Sequence, residues 1–274
     1  MTPSPRLGYR LAIMVAQKQY LLAIVLVCTS ACPTHQTPKM GLIAELLSSG
    51  EMTELDSLIH KSYADPLGDR EQLIDDLHDM YRFFDTIKVT FNDIKQLSKS
   101  PKTNSQKISA QLETQLLGEY TWSFRGPIQL EFVHQPSAQI QSGLLSNVRD
   151  IIKLMNARVA AIESNSATAY TNILHPNYRR GDENKKEAQS RLKKTLNGKL
   201  RLRPDRYLVD LDVNQAHLTE WALVSRSQVE PTVSSSISES NRNSTDGVGI
   251  MTKSEFTLRK SAGQWLIHSI HGQF

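Results

Sequence analysis

One stretch of the chain occurs twice at a constant spacing, and this repeat constrains the fold more than any other feature of the sequence. Residues 47–63 align with residues 162–178 without a gap, so each position meets another that lies 115 residues further along the chain. The alignment matches His60 with His175, together with a tyrosine and several apolar positions in each segment. Self-similarity at a fixed spacing is typical of repeated structural units, so the match predicts an internal duplication.

A second pair of segments supports the same interpretation. Residues 128–144 resemble residues 254–270, and each segment has the pattern of a strand, a short turn and a second strand. The two matches occur in the same order along the chain, which favours duplication over chance. The spacing of 115 residues also predicts that Tyr63 superposes on Tyr178, in the same way as the two histidines.

The second copy has the clearer pattern of secondary structure. Apolar residues at helical spacing predict a helix over residues 146–164, and a shorter helix over 167–174 is predicted to end before proline. A Ser- and Asn-rich segment predicts a hairpin tip over 233–247. Helices that precede a run of antiparallel strands predict the α+β class. Alternating apolar and polar residues predict the strands, over 207–213, 217–229, 250–260 and 264–272.

The second copy resembles the nuclear transport factor 2-like, SnoaL-like family of cystatin-type folds. The resemblance rests on the paired helices, the segment His175-Pro-Asn-Tyr178 at their end, and the closing segment from Phe256 to Ile267. It covers residues 145–274 closely and residues 39–144 less closely. The resemblance implies two cone-shaped units, residues 40–145 and 146–274, each with N-terminal helices packed on a bent antiparallel sheet around a cavity. Members of the family bind small apolar ligands, act as isomerases or dehydratases, or serve as dimerisation and accessory modules.

The first 31 residues have the composition of a secretory signal peptide. Basic residues precede the apolar run from Tyr20 to Val27, and small residues precede Cys32. The apolar stretch of about 12 residues is too short to span the roughly 30 Å of a bilayer core. Cys32 resembles the modified cysteine of a bacterial lipoprotein, which predicts lipidation there, a tether over 32–39 and a location in the cell envelope. Secretion without a lipid, or an uncleaved anchor, is the alternative, and Met14 is an alternative start.

The basic charge of the chain belongs mostly to this signal. Removing Arg6, Arg10 and Lys18 from the 32 basic residues leaves 29, against 28 acidic ones. A nearly neutral mature chain has no global field that attracts phosphates, so no nucleic-acid partner is expected. Both cysteines, Cys28 and Cys32, lie in the N-terminal segment, which excludes disulfides and cysteine-based metal sites from the rest.

His60 and His175 are the first candidates for chemistry, since both are predicted to lie at helix ends. One interpretation is a general base that faces a cavity. The other, which we favour, is a histidine that stabilises a helix C-terminus and packs against Tyr63 or Tyr178. The two tyrosines similarly act either as hydrogen-bond donors to a ligand, as tyrosines do in relatives of ketosteroid isomerase, or as large side chains that close a core.

The remaining polar candidates carry weaker signals. Asp210 and Asp212 share one face of a predicted strand, and the alternation with apolar neighbours favours a solvated face over a cavity. Three further histidines have no spacing typical of metal ligands, so no metal or cofactor is expected. The predicted residues of a ligand pocket are His60, Tyr63, His175, Tyr178, Trp221 and Trp265.

The leading hypothesis is a non-enzymatic envelope lipoprotein that faces the periplasm or the exterior. It contacts the membrane through its lipid and binds a small apolar ligand or an envelope protein. The alternative is a lyase or isomerase that acts in the cavity of the second unit. Duplication further predicts that the two units pack on each other as an intramolecular pseudo-dimer.

Overall fold

The computed structural model describes residues 39–134, 137–195, 200–226 and 249–272. The predicted signal peptide, Cys32 and most of the tether lie outside these ranges, as does the predicted hairpin tip over 233–247.

The first half of the described chain begins with helices and ends with a run of strands. Asp69 precedes the third helix and caps it, because its carboxylate accepts the backbone N–H of Gln72 at 3.1 Å. The elements are α1 (Met40–Ser49), α2 (Met52–Ser57), β1 (Ala64–Asp65), β2 (Gly68–Asp69), α3 (Arg70–Phe83), β3 (Phe84–Ser100), β4 (Ser105–Gly118), β5 (Thr121–His134) and β6 (Ala138–Ser142).

The second half contains the same kinds of element in the same order. Asn184 lies 115 residues after Asp69 and caps the corresponding helix, since its side-chain oxygen accepts the backbone N–H of Glu187 at 3.1 Å. The predicted α+β class is therefore confirmed. The elements are α4 (Ser146–Glu163), α5 (Ala167–Asn172), β7 (Leu174–Arg180), β8 (Glu183–Asn184), α6 (Lys185–Thr195), β9 (Leu200–Leu211), β10 (Gln215–Arg226), β11 (Ile250–Ser261) and β12 (Gln264–Gly272).

One predicted helix end is wrong. The short helix α5 stops at Asn172, and the segment that was predicted to complete it forms β7, which pairs in parallel with β12. The equivalent helix α2 of the first half ends at Ser57, 115 residues before Asn172, although Lys61 replaces the proline there, so the early end is common to both copies. Pro176 agrees with the extended backbone of β7, because a residue before proline is driven towards extended conformations. His175 therefore lies on a strand and not at a helix end.

The strands form one sheet that runs through both halves, in the order β3-β4-β5-β9-β10-β11-β12-β7-β8, with β6 beside β5. Neighbouring strands are antiparallel except at β5–β9 and β12–β7. The short β6 covers only the C-terminal end of β5, where it pairs with residues 131–134. The other end of the same β5 edge is thus open, and residues 121–125 pair there with residues 206–210 of β9.

Aromatic side chains fill the core where β5 and β9 meet. Trp122 of β5 stands opposite Tyr207 of β9, and the two rings stack with centroids 3.9 Å apart. Phe124 also stacks on Trp122, with the ring centroids 5.3 Å apart, and all three side chains are buried. Stacked aromatic pairs contribute about 0.5–1.5 kcal/mol beyond their burial, so this seam is a strong apolar contact between the halves.

The outer strand β3 is irregular along its distal half. Its pairing with β4 shifts register between Asn92 and Lys95 and again between Gln96 and Ser98. Asp93 adopts a positive φ of 48°, which bends the strand at that point. Residues 92–99 are all exposed, so neither face of this part of β3 is covered.

A buried ionic network also connects the halves. Arg149 of α4 donates two hydrogen bonds to Asp76 of α3, at 2.9 and 2.6 Å, and one to Asp65 at 2.8 Å. The Arg149 and Asp65 side chains are 1% exposed and that of Asp76 is 7% exposed. The hydroxyl of Tyr63 also donates to Asp65, at 2.6 Å, and Lys153 donates to Asp76, at 2.8 Å. Every charge in this network has at least one hydrogen-bonded partner, as buried charges require.

We expect Arg149→Ala to lower the free energy of unfolding by about 3–5 kcal/mol, because it leaves Asp65 and Asp76 buried without their shared partner. Urea denaturation followed by tryptophan fluorescence measures the change. The control is Arg125→Ala, which removes an exposed ion pair with Asp210 and should change the free energy of unfolding far less, because water and salt screen exposed charges. Equal losses in the two variants would contradict the structural role of the buried network.

Candidate functional site

The two predicted histidines have the same local contact. Nδ1 of His60 accepts the backbone N–H of Ser62 at 3.2 Å, and Nδ1 of His175 accepts that of Asn177 at 3.0 Å. In each case the ring nitrogen fixes the backbone two residues further on, which requires Nδ1 to carry no proton. This contact gives both histidines an architectural role that does not depend on a ligand.

The two predicted tyrosines are buried and remain protonated at neutral pH. Burial and the neighbouring Asp65 raise the pKa of Tyr63 well above its ordinary value. Burial raises the pKa of Tyr178 to about 12. Neither hydroxyl is therefore suited to act as a base, although each can donate a hydrogen bond.

The two predicted tryptophans lie in different environments. Trp221 faces away from the buried Glu220 and Ala222 on β10, and the guanidinium of Arg206 lies 4.2 Å from its ring centre. Trp265 is buried instead, and its indole N–H donates to Asn147 of α4 at 3.3 Å. The structure thus does not bring the six predicted pocket residues together at one place.

Asp210 and Asp212 are both exposed, while Val209 and Leu211 between and beside them are buried. The solvated interpretation of this strand is therefore confirmed. Asp210 forms an ion pair with the exposed Arg125, and Asp212 accepts the backbone N–H of the next residue at 2.7 Å.

An ion pair that the sequence analysis did not anticipate lies inside the second half. Nη1 of Arg158 on α4 donates to Glu220 on β10 at 2.8 Å, and the two side chains are 0% and 1% exposed. Tyr170 accepts a hydrogen bond from Nε of Arg158 at 3.3 Å, and the ring of Phe256 lies 4.8 Å from the guanidinium carbon. Burial, together with the charge of Glu220, raises the pKa of Tyr207 well above its ordinary value.

The spacing of these residues contains a signal for their position. Arg158 lies three residues after Met155 and four before Ile162, both of which are buried on the same helix face. Glu220 lies two residues from Leu218 and from Ala222 on β10, so it shares their inward face. Each charge taken alone is anomalous at a core position, and the two together predict a buried pair.

The first half has apolar residues at the corresponding positions. Ile43 lies 115 residues before Arg158. Ala110 corresponds to Glu220, because Ala110 pairs with Ile128, Glu220 pairs with Ser254, and Ile128 aligns with Ser254 in the repeat. Ile43 and Ala110 are both buried. The fold therefore does not need an ion pair at this place, in agreement with the finding that buried pairs are often replaceable by apolar side chains.

We expect the double variant Arg158→Ile with Glu220→Ala to be more stable than either single variant. Each single change leaves one buried charge without its partner and should cost about 3–5 kcal/mol, whereas the double change removes both charges. A double-mutant cycle based on urea denaturation measures this coupling. Additive losses would show that the two side chains are not energetically coupled.

A cavity of about 130 Å³ lies between the halves, bounded by α3, the start of β3 and α4. Its apolar wall includes Met80, Phe84, Tyr120 and Ile152, and the rings of Phe84 and Tyr120 meet edge to face at 6.2 Å. Phe83 also lines the cavity although it is 66% exposed. An exposed phenylalanine beside an apolar hollow is typical of a surface that receives an apolar group.

The other end of the cavity is polar and ionic. It is lined by Asp76, Arg149 and Lys153 of the buried network, together with Asn156, which accepts the hydroxyl of Tyr120 at 3.3 Å. Burial opposes ionisation of Asp76, but hydrogen bonds from Lys153 and Arg149 hold the pKa of this carboxyl below its ordinary value. The cavity can therefore accommodate one small apolar group beside a fixed set of charges.

Two further properties concern metals and membranes. Within the described ranges, no three or more His, Cys, Asp or Glu side chains are grouped so as to hold a metal ion. No helix in the described part of the chain combines the length and the apolar character needed to cross a bilayer.

Comparison with known proteins gives matches only among solved structures, since no family model and no curated protein matches the chain. A protein of unknown function with a cystatin-like fold from Nostoc punctiforme PCC 73102 is 11% identical, with a TM-score of 0.36 over 47% of this chain and 90% of that one. A putative ketosteroid isomerase from Shewanella frigidimarina NCIMB 400 is 15% identical, with a TM-score of 0.33 over 44% of this chain and 92% of that one.

A putative scytalone dehydratase from Novosphingobium aromaticivorans DSM 12444 is 10% identical, with a TM-score of 0.36 over 47% of this chain and 86% of that one. Each of these three structures covers just under half of the chain.

Proposed function

We propose that this chain is an exported envelope lipoprotein whose two SnoaL-like units form a non-enzymatic binding module. Residues 1–31 act as the signal peptide, Cys32 carries the lipid, and a short tether over 32–39 joins it to units at 40–145 and 146–274. The twofold order of elements and the cap residues Asp69 and Asn184, 115 residues apart, support the tandem arrangement.

The observation that carries the binding function is the cavity between the halves. Ligand pockets for whole drug-sized molecules measure roughly 300–1,000 Å³, whereas this cavity measures about 130 Å³. An apolar hollow of roughly 150 Å³ is large enough for a benzene-sized group. The cavity therefore fits a single apolar ring, either from a small ligand or from a side chain of a partner protein.

The alternative function is that of a lyase or isomerase in the second unit. A buried carboxylate close to a tyrosine, as in Glu220 near Tyr207, favours it. The contacts of Glu220 argue against it, because its carboxylate already accepts a hydrogen bond from Arg158 at 2.8 Å. A general base must reach the proton of a substrate, and an ion-paired carboxylate inside a packed core has little freedom to do so.

Cys32→Ser is expected to abolish incorporation of labelled palmitate in a native bacterial host, because the lipid has no other predicted attachment site. Cys28→Ser, which changes the neighbouring cysteine of the same segment, is the matched control and should retain the label. Mass spectrometry of the mature N-terminus checks the cleavage site. An unmodified chain that begins near Met1 would contradict the anchor.

The cavity is tested with ring-sized probes such as indole and phenol, which we expect to bind the full chain weakly and saturably in NMR titrations. Asn156 is exposed and lines the cavity. Asn156→Trp should therefore abolish binding, because a large side chain at this position would occupy the cavity. Ala157→Trp is the control, since Ala157 is exposed on the same helix but does not line the cavity. Both changes replace exposed side chains and should leave the urea midpoint nearly unchanged.

Two results would contradict the proposed function. Binding of the ring probes that is equal in Asn156→Trp and Ala157→Trp would place their site elsewhere. Binding of a steroid-sized ligand that Glu220→Gln abolishes would favour the enzyme, because such a ligand exceeds the size of the cavity between the halves.

A further inference from the structure

Basic side chains from four elements converge on the outer face of the second half, and we call them the histidine cluster: His175 on β7, Lys185 on α6, Arg259 on β11 and His268 on β12. Leu174 pairs with Ile267, and both side chains are buried. His175 follows Leu174 and is partly exposed, and His268 is the partly exposed residue at the bulge of β12, where the pairing with β11 shifts register. Their rings meet edge to face with centroids 5.2 Å apart.

The two cations of the cluster flank these histidines. Arg259 is exposed, pairs with Leu266 on β12 and alternates with the buried Leu258. Nζ of Lys185 donates to the carbonyl of Leu174 at 2.6 Å, directly beside His175. A lysine ammonium has three protons, so two of them remain for another acceptor.

The positive charge of the cluster has no acidic counterpart. Among the described residues, no carboxylate forms an ion pair with any of its four members. The acids on adjoining elements are engaged elsewhere, because Glu183 binds Arg191 at 2.8 Å and Glu255 binds Lys253 at 2.7 Å. A further cation, Arg179, occupies the β7 position opposite Ser269.

Two ring nitrogens of the cluster have no hydrogen-bond partner among the described residues. Nδ1 of His268 is buried and has no hydrogen-bond partner among the described residues. His175 accepts a backbone N–H at Nδ1, so its neutral ring carries its proton at Nε2, which is free to donate. A buried ring nitrogen without a partner carries a desolvation cost that a ligand could remove.

The pKa values of the two histidines are shifted for the same reason. Burial and the neighbouring cations lower the pKa of both, with Arg259 and Lys185 acting on His175, and Arg259 and His175 acting on His268. An anion placed among them would reverse this effect and favour the protonated rings. A cation would add to the repulsion, which disfavours a metal ion at this place.

We propose that the histidine cluster binds a phosphate-type oxyanion, either free phosphate or the phosphate of a headgroup or metabolite. Arg259 and Lys185 supply positive charge, the neutral ring of His175 donates a hydrogen bond from Nε2, and the ring of His268 donates a stronger one when it is protonated. By linkage, the anion raises the pKa of His268, so the affinity for a given anion charge state increases as the pH falls through the titration range of this ring. This site is separate from the cavity between the halves and does not depend on the proposed function.

The test is a titration of the full chain with inorganic phosphate at constant ionic strength, followed by the ¹H–¹⁵N signals of the imidazoles. Measurements between about pH 5.5 and about pH 7.5 bracket the ordinary titration of histidine. We expect saturable shifts of the His175 and His268 signals. The affinity is calculated for the phosphate dianion present at each pH, because phosphate itself takes up a proton in this range, and this affinity should be higher at the acidic end. Arg259→Gln and His268→Gln should each weaken binding about tenfold, the effect of losing one charge-assisted hydrogen bond.

Matched controls lie on the same outer face. Arg203→Gln and His217→Gln change exposed residues of β9 and β10 and should leave phosphate affinity unchanged. Arg259→Lys retains the charge and should retain more affinity than Arg259→Gln. Circular dichroism spectra and urea midpoints establish that each variant is folded.

Three outcomes would overturn the proposal: no saturable shift, equal weakening in the control variants, or binding that is insensitive to both Arg259→Gln and His268→Gln. Phosphatidylcholine vesicles with and without phosphatidic acid distinguish the source of the phosphate. Sedimentation that requires phosphatidic acid and Arg259 would support a headgroup, whereas binding of free phosphate alone would support a soluble ligand.

Discussion

The contact of Arg149 with Asp65 and Asp76 is the interaction on which the joining of the two halves depends. Arg149 lies in the first nine residues of α4, before the part of this helix that corresponds to α1. Its guanidinium extends out of the second half and donates hydrogen bonds to two carboxylates of the first half. Because charges at 1–7% exposure are costly without a partner, the position of α4 relative to α3 is closely defined.

The position of α4 relative to α3 in turn determines the cavity between the halves and the seam where β5 meets β9. The two helices form two walls of the cavity, and the same Asp76 and Arg149 line its polar end. The pairing of β5 with β9 depends on the short β6, which leaves half of the β5 edge free. The stack of Trp122 on Tyr207 uses apolar side chains, whereas the ionic network uses charged ones, and both contacts hold the two halves in the same relative arrangement.

The sequence predicts elements and local equivalences well, and long-range contacts poorly. Helical spacing, strand alternation and the register of 115 residues are local signals, and they agree with α4, with β12 and with the matched contacts of His60 and His175. The pairing of β5 with β9 joins residues about 85 positions apart and leaves no local pattern. The apolar residues of α4 are buried as their helical spacing predicts, but the burial of Arg158 beside them depends on its long-range partner Glu220, which no local pattern reveals.

The order of strands has a consequence for self-association. Joining β5 to β9 covers one open edge from each half. Among the described strands, β3 and β8 then lie at the two ends of the sheet, and the short β6 lies beside β5. β8 has two residues, and the exposed distal part of β3 carries Lys95 and Lys99, an irregular register and the positive φ of Asp93. Short edges, lysines and bulges all hinder the addition of a foreign strand. The intact chain therefore offers little template for amyloid-like stacking, whereas a separated half would expose a regular edge beside Trp122 and would be prone to it.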